Sequence, residues 1–244
     1  SSDVCSSDLV NDSQYRDLQE TLLVNQFHDI LPGTCIPRAH KESLEQTNAL
    51  LQTSHKLIEA AAGTKAVENT VTVVNTTSFT RKETVYLDYV PGMRVQGGYA
   101  QQVVETLKGE KKLAVAGVEI PPYGSVVLTL EAGEVGGDSS FRRNGAELET
   151  PFAKVSFDKK GYLSSFHDTV ADRELTGNGY AFNTFLVAED LPSEWDNWDV
   201  DADLELKFKD CAELLSSEVV SDGPVELRIR NRYQLTKKST LTRS

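Results

Sequence analysis

The chain has 244 residues, a formal net charge of −12, 39% hydrophobic residues and 25% charged ones. That composition rules out a disordered chain and gives room for one large domain or two ordinary ones. The acidic balance gives no broad electrostatic reason to bind nucleic acid or an anionic membrane, and no window approaches the ~20 apolar residues of a membrane span.

The opening Ser1-Ser2-Asp3-Val4-Cys5-Ser6-Ser7-Asp8-Leu9 reads as translated sequencing adapter, so residues 1–10 are set aside as a non-native leader. No starting Met is present, no basic region followed by an apolar run marks a secretory signal, and the chain stops inside a strand-like stretch. These features lead us to expect an internal fragment of a longer protein. Cys5, Cys35 and Cys211 are odd in number and far apart, the pattern of free thiols in a reducing, cytoplasmic compartment rather than of a disulfide framework or zinc knuckle.

Residues 11–65 read as helical. Tyr15, Leu18 and Leu22 share one face, with Asn11, Asp12 and Ser13 as candidate caps. This helix is expected to end near Phe27–Leu31, stopped by Pro32-Gly33. A second helix starts near Pro37. Leu44, Leu51 and Ile58 repeat every seven residues along it, and Leu50 and Leu57 repeat the interval beside them, while Lys41, Glu42, Glu45 and Lys56 fall off the stripe. Gly63 is the expected left-handed cap, with Thr64-Lys65 closing the helix. Two helices cannot bury such stripes alone; a third helix, another domain or a second copy in a homo-oligomer must cover them.

After Lys65 the period changes to two. Short β-branched runs at Val71–Val74, Val85–Leu87, Val103–Val104, Leu113–Val115 and Val126–Leu130 alternate with turn signals at Pro91-Gly92, Gly97-Gly98, Lys108-Gly109 and Pro121–Gly124. Residues 66–132 are therefore a small β-domain, and the Gly-, Ser- and Asp-rich residues 133–143 a linker. Residues 144–244 begin a larger β-sandwich domain that is cut short. Its clearest feature is a hairpin, Phe152–Phe157 and Tyr162–Phe166 around Asp158–Gly161, with further strands expected at Leu204–Phe208 and Glu226–Leu235. The fold class is α+β: an N-terminal antiparallel helix pair (a partial three-helix bundle), then mainly antiparallel β-sandwich-like domains.

Two segments carry chemistry. In Asn25-Gln26-Phe27-His28-Asp29-Ile30-Leu31-Pro32-Gly33-Thr34, an imidazole and a carboxylate stand side by side at a sharply bent helix end. Imidazole is a good zinc ligand and a neighbouring carboxylate can bind sugar hydroxyls or orient a ring nitrogen; the same pair can equally be a simple charge pair at a helix C-terminus. One His makes no zinc site, which needs three or four ligands, and His40, His55 and His167 do not stand at ligand spacing from it. In Glu189-Asp190-Leu191-Pro192-Ser193-Glu194-Trp195-Asp196-Asn197-Trp198-Asp199-Val200-Asp201, both tryptophans lie amid acids. This suits a sugar platform, or a loop anchored by Trp on its own domain. Asn75-Thr76-Thr77 and Asn11-Asp12-Ser13 match the glycosylation pattern without a secretory context. No phosphate loop, nucleophilic Ser elbow or Cys–His pair is present.

At these two segments the chain resembles the α-mannosidases of glycoside hydrolase family 38, the bacterial and vacuolar or cytosolic branch more than the Golgi and lysosomal one. The resemblance implies a retaining, zinc-dependent glycosidase acting on α-mannoside glycans or oligosaccharides. It gives His28 the role of one zinc ligand and Asp29 that of a contact to the mannose hydroxyls. The other ligands, the nucleophile and the acid/base belong in the family to a catalytic domain upstream, so no catalytic residue is assigned here and the isolated chain is expected to be inactive. The helical region would then include the end of that catalytic region. The competing readings are a non-catalytic carbohydrate-binding β-sandwich that uses the tryptophan loop, and a structural or oligomerisation module.

Overall fold

A computed structural model describes residues 12–62, 67–177, 179–195 and 197–244. The leader, the Asn11 cap, Cys5, the Gly63–Lys65 helix stop and Asp196 of the tryptophan segment lie outside the described residues. The chain gathers into two compact units: the helical stretch up to Val67 together with Glu189–Glu205, and Glu68–Ala188 together with Leu206–Ser244. No described helix is long and apolar enough to cross a membrane.

In the first unit, α1 runs Asp12–Asn25 and α2 runs Pro37–Ala62. Proline heads α2 because its missing N–H is one of the unpaired helix-start donors anyway. Exposed pairs one turn apart, Arg38–Glu42 at 2.8 Å and Lys41–Glu45 at 3.8 Å, follow the helix surface. The helices are antiparallel: Asn25 at the end of α1 donates to Gln46 Oε1, while Gln14 and Leu18 line a cleft of about 290 Å³ with Leu50 and Thr53. Leu18, Leu50 and Leu57 are half-buried, whereas Leu44, Leu51, Ile58, Tyr15 and Leu22 face out. The two neighbouring stripes of α2 thus differ, one turned to the partner helix and one left open. Helix α1 stops at Asn25, earlier than the expected Phe27–Leu31. The Asn25 carboxamide bonds Thr21 O at 2.8 Å, and Gln26 N donates to both Leu22 O and Leu23 O, so the helix closes before the proline can break it.

The second unit is β throughout. Strands β1 (Thr70–Val74), β6 (Ser125–Ala132) and β3 (Met93–Val95) form one antiparallel sheet; β2 (Arg81–Asp88), β5 (Lys111–Ile120) and β4 (Gln101–Glu105) form another. Alternating inward residues build the core from Leu87, Val95, Leu113, Val115, Val118, Ile120 and Leu128. The Gln101 carboxamide accepts from Val95 N at 2.8 Å and donates to Val95 O at 2.7 Å, joining β4 to β3 of the other sheet. Asn75 is 2% exposed, and its amide nitrogen donates to Phe79 O, Ile120 O and Pro121 O. The folded unit therefore offers no glycan acceptor at that Asn-Thr-Thr sequence.

Residues 133–143 do not dangle. Val135 packs on the core, and Ser140 Oγ donates to Pro224 O. Next comes a five-stranded antiparallel sheet in the order β11 (Arg173–Glu174), β10 (Leu163–Asp168), β9 (Ala153–Phe157), β8 (Glu147–Glu149), β7 (Arg142–Asn144). The last sheet is β12 (Glu213–Asp222), β13 (Leu227–Gln234) and β14 (Thr240–Arg243). Tyr162, Phe185 and Tyr233 form an aromatic core between them, with Phe185 and Tyr233 edge-on at 4.9 Å. Gly161 turns the β9–β10 hairpin at φ +73°, and a Cβ there would sit 2.9 Å from Tyr233 Oη, so both backbone and packing require glycine. Burial pushes the Tyr162 phenol up, while Lys160, bonded to Asp210 at 2.7 Å, holds the Asp210 carboxyl down.

Gln102 of β4 ties the two halves of the β unit together. Its oxygen accepts from Val225 N and Glu226 N, and its nitrogen donates to Ser221 Oγ and Glu226 O. One expected strand is corrected: Leu204–Lys207 is a single 3₁₀ turn. Its apparent alternation has no partner strand, and Leu206 is almost fully exposed.

Candidate functional site

The first site segment is a tight turn after α1. Ile30 N and Leu31 N donate to Phe27 O, Gly33 N donates to Ile30 O, and Cys35 N donates to Asp29 O at 3.0 Å. These bonds carry the chain from α1 into Pro37 without another helical turn, and they leave His28 and Asp29 on the outside of the bend. Thr34 Oγ1 donates to Asp29 Oδ1 at 3.2 Å. The other carboxylate oxygen, Oδ2, lies 3.8 Å from His28 Nε2. The His28 side chain is 67% exposed and that of Asp29 46%, so the imidazole is not sealed in helical packing. Phe27 lies beside it, with ring centroids 4.1 Å apart.

The second segment leaves the β unit and folds with the helices. Val187 and Lys209 pair through two 2.9 Å backbone bonds that pinch its base. Ser193 N and Ser193 Oγ both donate to the Asp201 carboxylate at 3.0 Å, stapling the loop shut. Inside the staple, Trp198 N and Asp199 N donate to Trp195 O, and Trp195 sits in the left-handed region at φ 57°. The result brings Trp198 to His28, with centroids 6.1 Å apart and planes at 61°. Sequence continuity alone assigns Glu189–Glu205 to the last β region, so this meeting of the two segments is a structural finding. Thr34 and the Ser193–Asp201 staple are also site residues that the sequence reading missed; Ser193 and Asp201 stand inside a quoted phrase, but nothing in the spacing says that they bond each other.

The donor set suits part of a zinc site. One imidazole with an open face and an adjacent carboxylate are hard-to-borderline ligands of the right kind. Among the described residues no group of three or more His, Cys, Asp or Glu gathers. His40 and His55 lie on α2, exposed, and His167 pairs with Asp172 at 3.2 Å in the β unit. A zinc ion held by His28 would need further ligands from beyond the described residues.

Residues 5–64 match the family model of the alpha mannosidase middle domain, and residues 148–243 that of the glycosyl hydrolases family 38 C-terminal domain. The chain belongs to glycoside hydrolase family 38. Its similarity to alpha-mannosidase 2C1 of Homo sapiens is 27% identity over 193 residues, covering 77% of this chain and 17% of that protein. With the Mus musculus alpha-mannosidase 2C1 it is 24% over 192 residues, with the same coverage. Two solved structures from Enterococcus faecalis share the fold: an alpha-mannosidase (TM-score 0.61, 13% identity, 93% of this chain, 32% of that one) and a protein in glycosyl hydrolase family 38 (TM-score 0.63, 16%, 93% and 33%). This family 38 chain spans about a sixth of the length of the curated relatives and about a third of those structures. Its fold has the α+β class expected from its sequence.

Proposed function

We propose that the chain is the middle and C-terminal part of a zinc-dependent, retaining α-mannosidase of the cytoplasm that removes terminal α-mannosyl residues from glycans or oligosaccharides. The observation that carries this reading is the outward pair of His28 and Asp29, backed by Trp198 in a stapled acidic loop. His28 would be one metal ligand. Zinc bound there would supply Lewis-acid chemistry to the sugar. Asp29, with one oxygen fixed by Thr34, offers its other oxygen to accept from a sugar hydroxyl. The free thiols of Cys35 and Cys211 are consistent with a reducing compartment.

A retaining glycosidase also needs two carboxyl groups about 5–5.5 Å apart, one nucleophile and one acid/base. We assign neither here and place both in the part of the protein outside this chain. The reading of the β region as a free-standing lectin loses support, because its proposed tryptophan platform folds with the helices.

The test is an aryl α-mannoside assay on the full-length protein, with and without chelator, alongside His28→Ala. We expect chelation to abolish turnover and His28→Ala to lower zinc content and activity by at least 10- to 100-fold, the loss typical when even an outer partner of a metal ligand is removed. Chelator-insensitive activity, or His28→Ala with unchanged zinc and turnover, would overturn the proposal.

A further inference from the structure

We infer that Trp198 is a positioning residue for the His28 imidazole. The inference rests on the reading above that His28 is a zinc ligand, and it adds a residue that the reading itself does not require. An exposed histidine at a helix end samples several rotamers, and a metal ligand that must first be ordered binds less tightly. His28 is exposed but not unsupported. Phe27 lies against it at 4.1 Å, and the Trp198 indole meets it at a steep angle at 6.1 Å. Edge-to-face pairs of this separation are attractive beyond their buried area, by a factor of roughly two to ten in the population held.

The support is itself built. The Asp201 carboxylate takes two bonds from Ser193, and Trp195 O takes the backbone N–H groups of Trp198 and Asp199. Trp195 occupies the left-handed backbone region to close that turn, a conformation that costs a bulky residue energy and persists only where its surroundings enforce it. What the strained, stapled turn presents to the helix unit is the Trp198 ring, against a side chain that has no other described aromatic neighbour besides Phe27. Both indoles are exposed, Trp195 at 70% and Trp198 at 51%, but among the described residues the ring pair with His28 is made by Trp198. The two tryptophans of one phrase thus differ in role: one braces the imidazole and the other does not.

The test uses histidine-labelled samples of this 244-residue chain and zinc titrations of the full-length enzyme. In the first, Trp198→Leu keeps an apolar side chain but removes the ring, and the His28 ring-proton resonances should move part of the way toward their positions in a short peptide, the Phe27 ring still lying against the imidazole. Trp198→Phe should keep most of the displacement, and Trp195→Phe should leave the His28 signals in place. In the second, Trp198→Leu should raise the zinc dissociation constant about two- to ten-fold, with Trp198→Phe restoring most of it. His28 resonances that ignore Trp198→Leu, or that move as far with Trp195→Phe, would sink the inference. Failure of the underlying reading looks different: full-length enzyme that neither binds zinc through His28 nor loses activity in His28→Ala, with the Trp198-dependent shift intact.

Discussion

In the β unit, Val95, Val115 and Val118 have lost all exposure to water, while no described side chain of the helical unit is buried and Leu44, Leu51 and Ile58 stand open. The β unit carries its own cores, a regular ladder of antiparallel pairs and a Gln102 latch. The helical unit carries the residues with chemistry: His28, Asp29 and the tryptophan loop. Buried apolar side chains and candidate reactive groups thus fall in different units. Residues that must meet a ligand are commonly drawn from the less stable part of a fold, and among the described residues nothing covers the outward α2 face.

The sharpest way to break this comparison is paired truncation. Leu113→Ala in the β core should cost about 2–5 kcal/mol, because it leaves a cavity in a close-packed site. Leu51→Ala on the open face of α2 should stay within about 0.5 kcal/mol. Urea unfolding followed by circular dichroism measures both. Equal losses would mean that the outward α2 face is covered in solution.

The latch gives the next effect. A Cβ on Gly223 would lie 2.5 Å from Gln102 Cδ. Gly223→Ala should therefore push the carboxamide off Val225 N, Glu226 N and Glu226 O, at a cost of about 1–3 kcal/mol. Gln102→Ala should cost a similar amount, and the double variant less than the sum, since the clash disappears with the side chain. Additive losses would show that Gln102 does not hold the turn.

Much of this division was legible in the sequence. The change from a 3.6 to a 2.0 period places the helices and most long strands, because burial of one face imposes each repeat directly. Short strands escaped: Met93–Val95 is too brief to carry a period, Arg142–Asn144 and Glu147–Glu149 are brief and polar as well, and each pairs with a neighbouring strand that offers its backbone. Glu213–Asp222 is long but bulged between Leu214 and Ser216 and between Val219 and Ser221, and each slip reverses the alternation. Leu204–Phe208 erred the other way, alternating without a strand to pair with. Of the site, His28 and Asp29 stood out by residue type at a turn. Their meeting with Trp198 did not, because it depends on the Val187–Lys209 pinch and the Ser193–Asp201 staple, both tertiary.

The smallest effect is one of pH within the β unit. Glu174, beside β10, accepts from Ser165 Oγ at 2.6 Å, Thr176 Oγ1 at 2.7 Å, Phe166 N at 2.8 Å and Thr176 N at 2.9 Å. The Ser165 hydroxyl leads these donors in holding its carboxyl down to about 2. A carboxyl whose folded pKa is depressed adds stability that is fully present above its unfolded value near 4.3 and is lost as pH falls toward the folded one. Glu174→Gln removes the charge but keeps one acceptor oxygen. It should lower Tm at pH 7, and its difference from the parent chain should shrink as pH falls from about 5 to 2. Differencing the two proteins at each pH cancels the titration of all other carboxylates. A Tm difference that stays flat with pH would show that the four donors do not hold the ionised form.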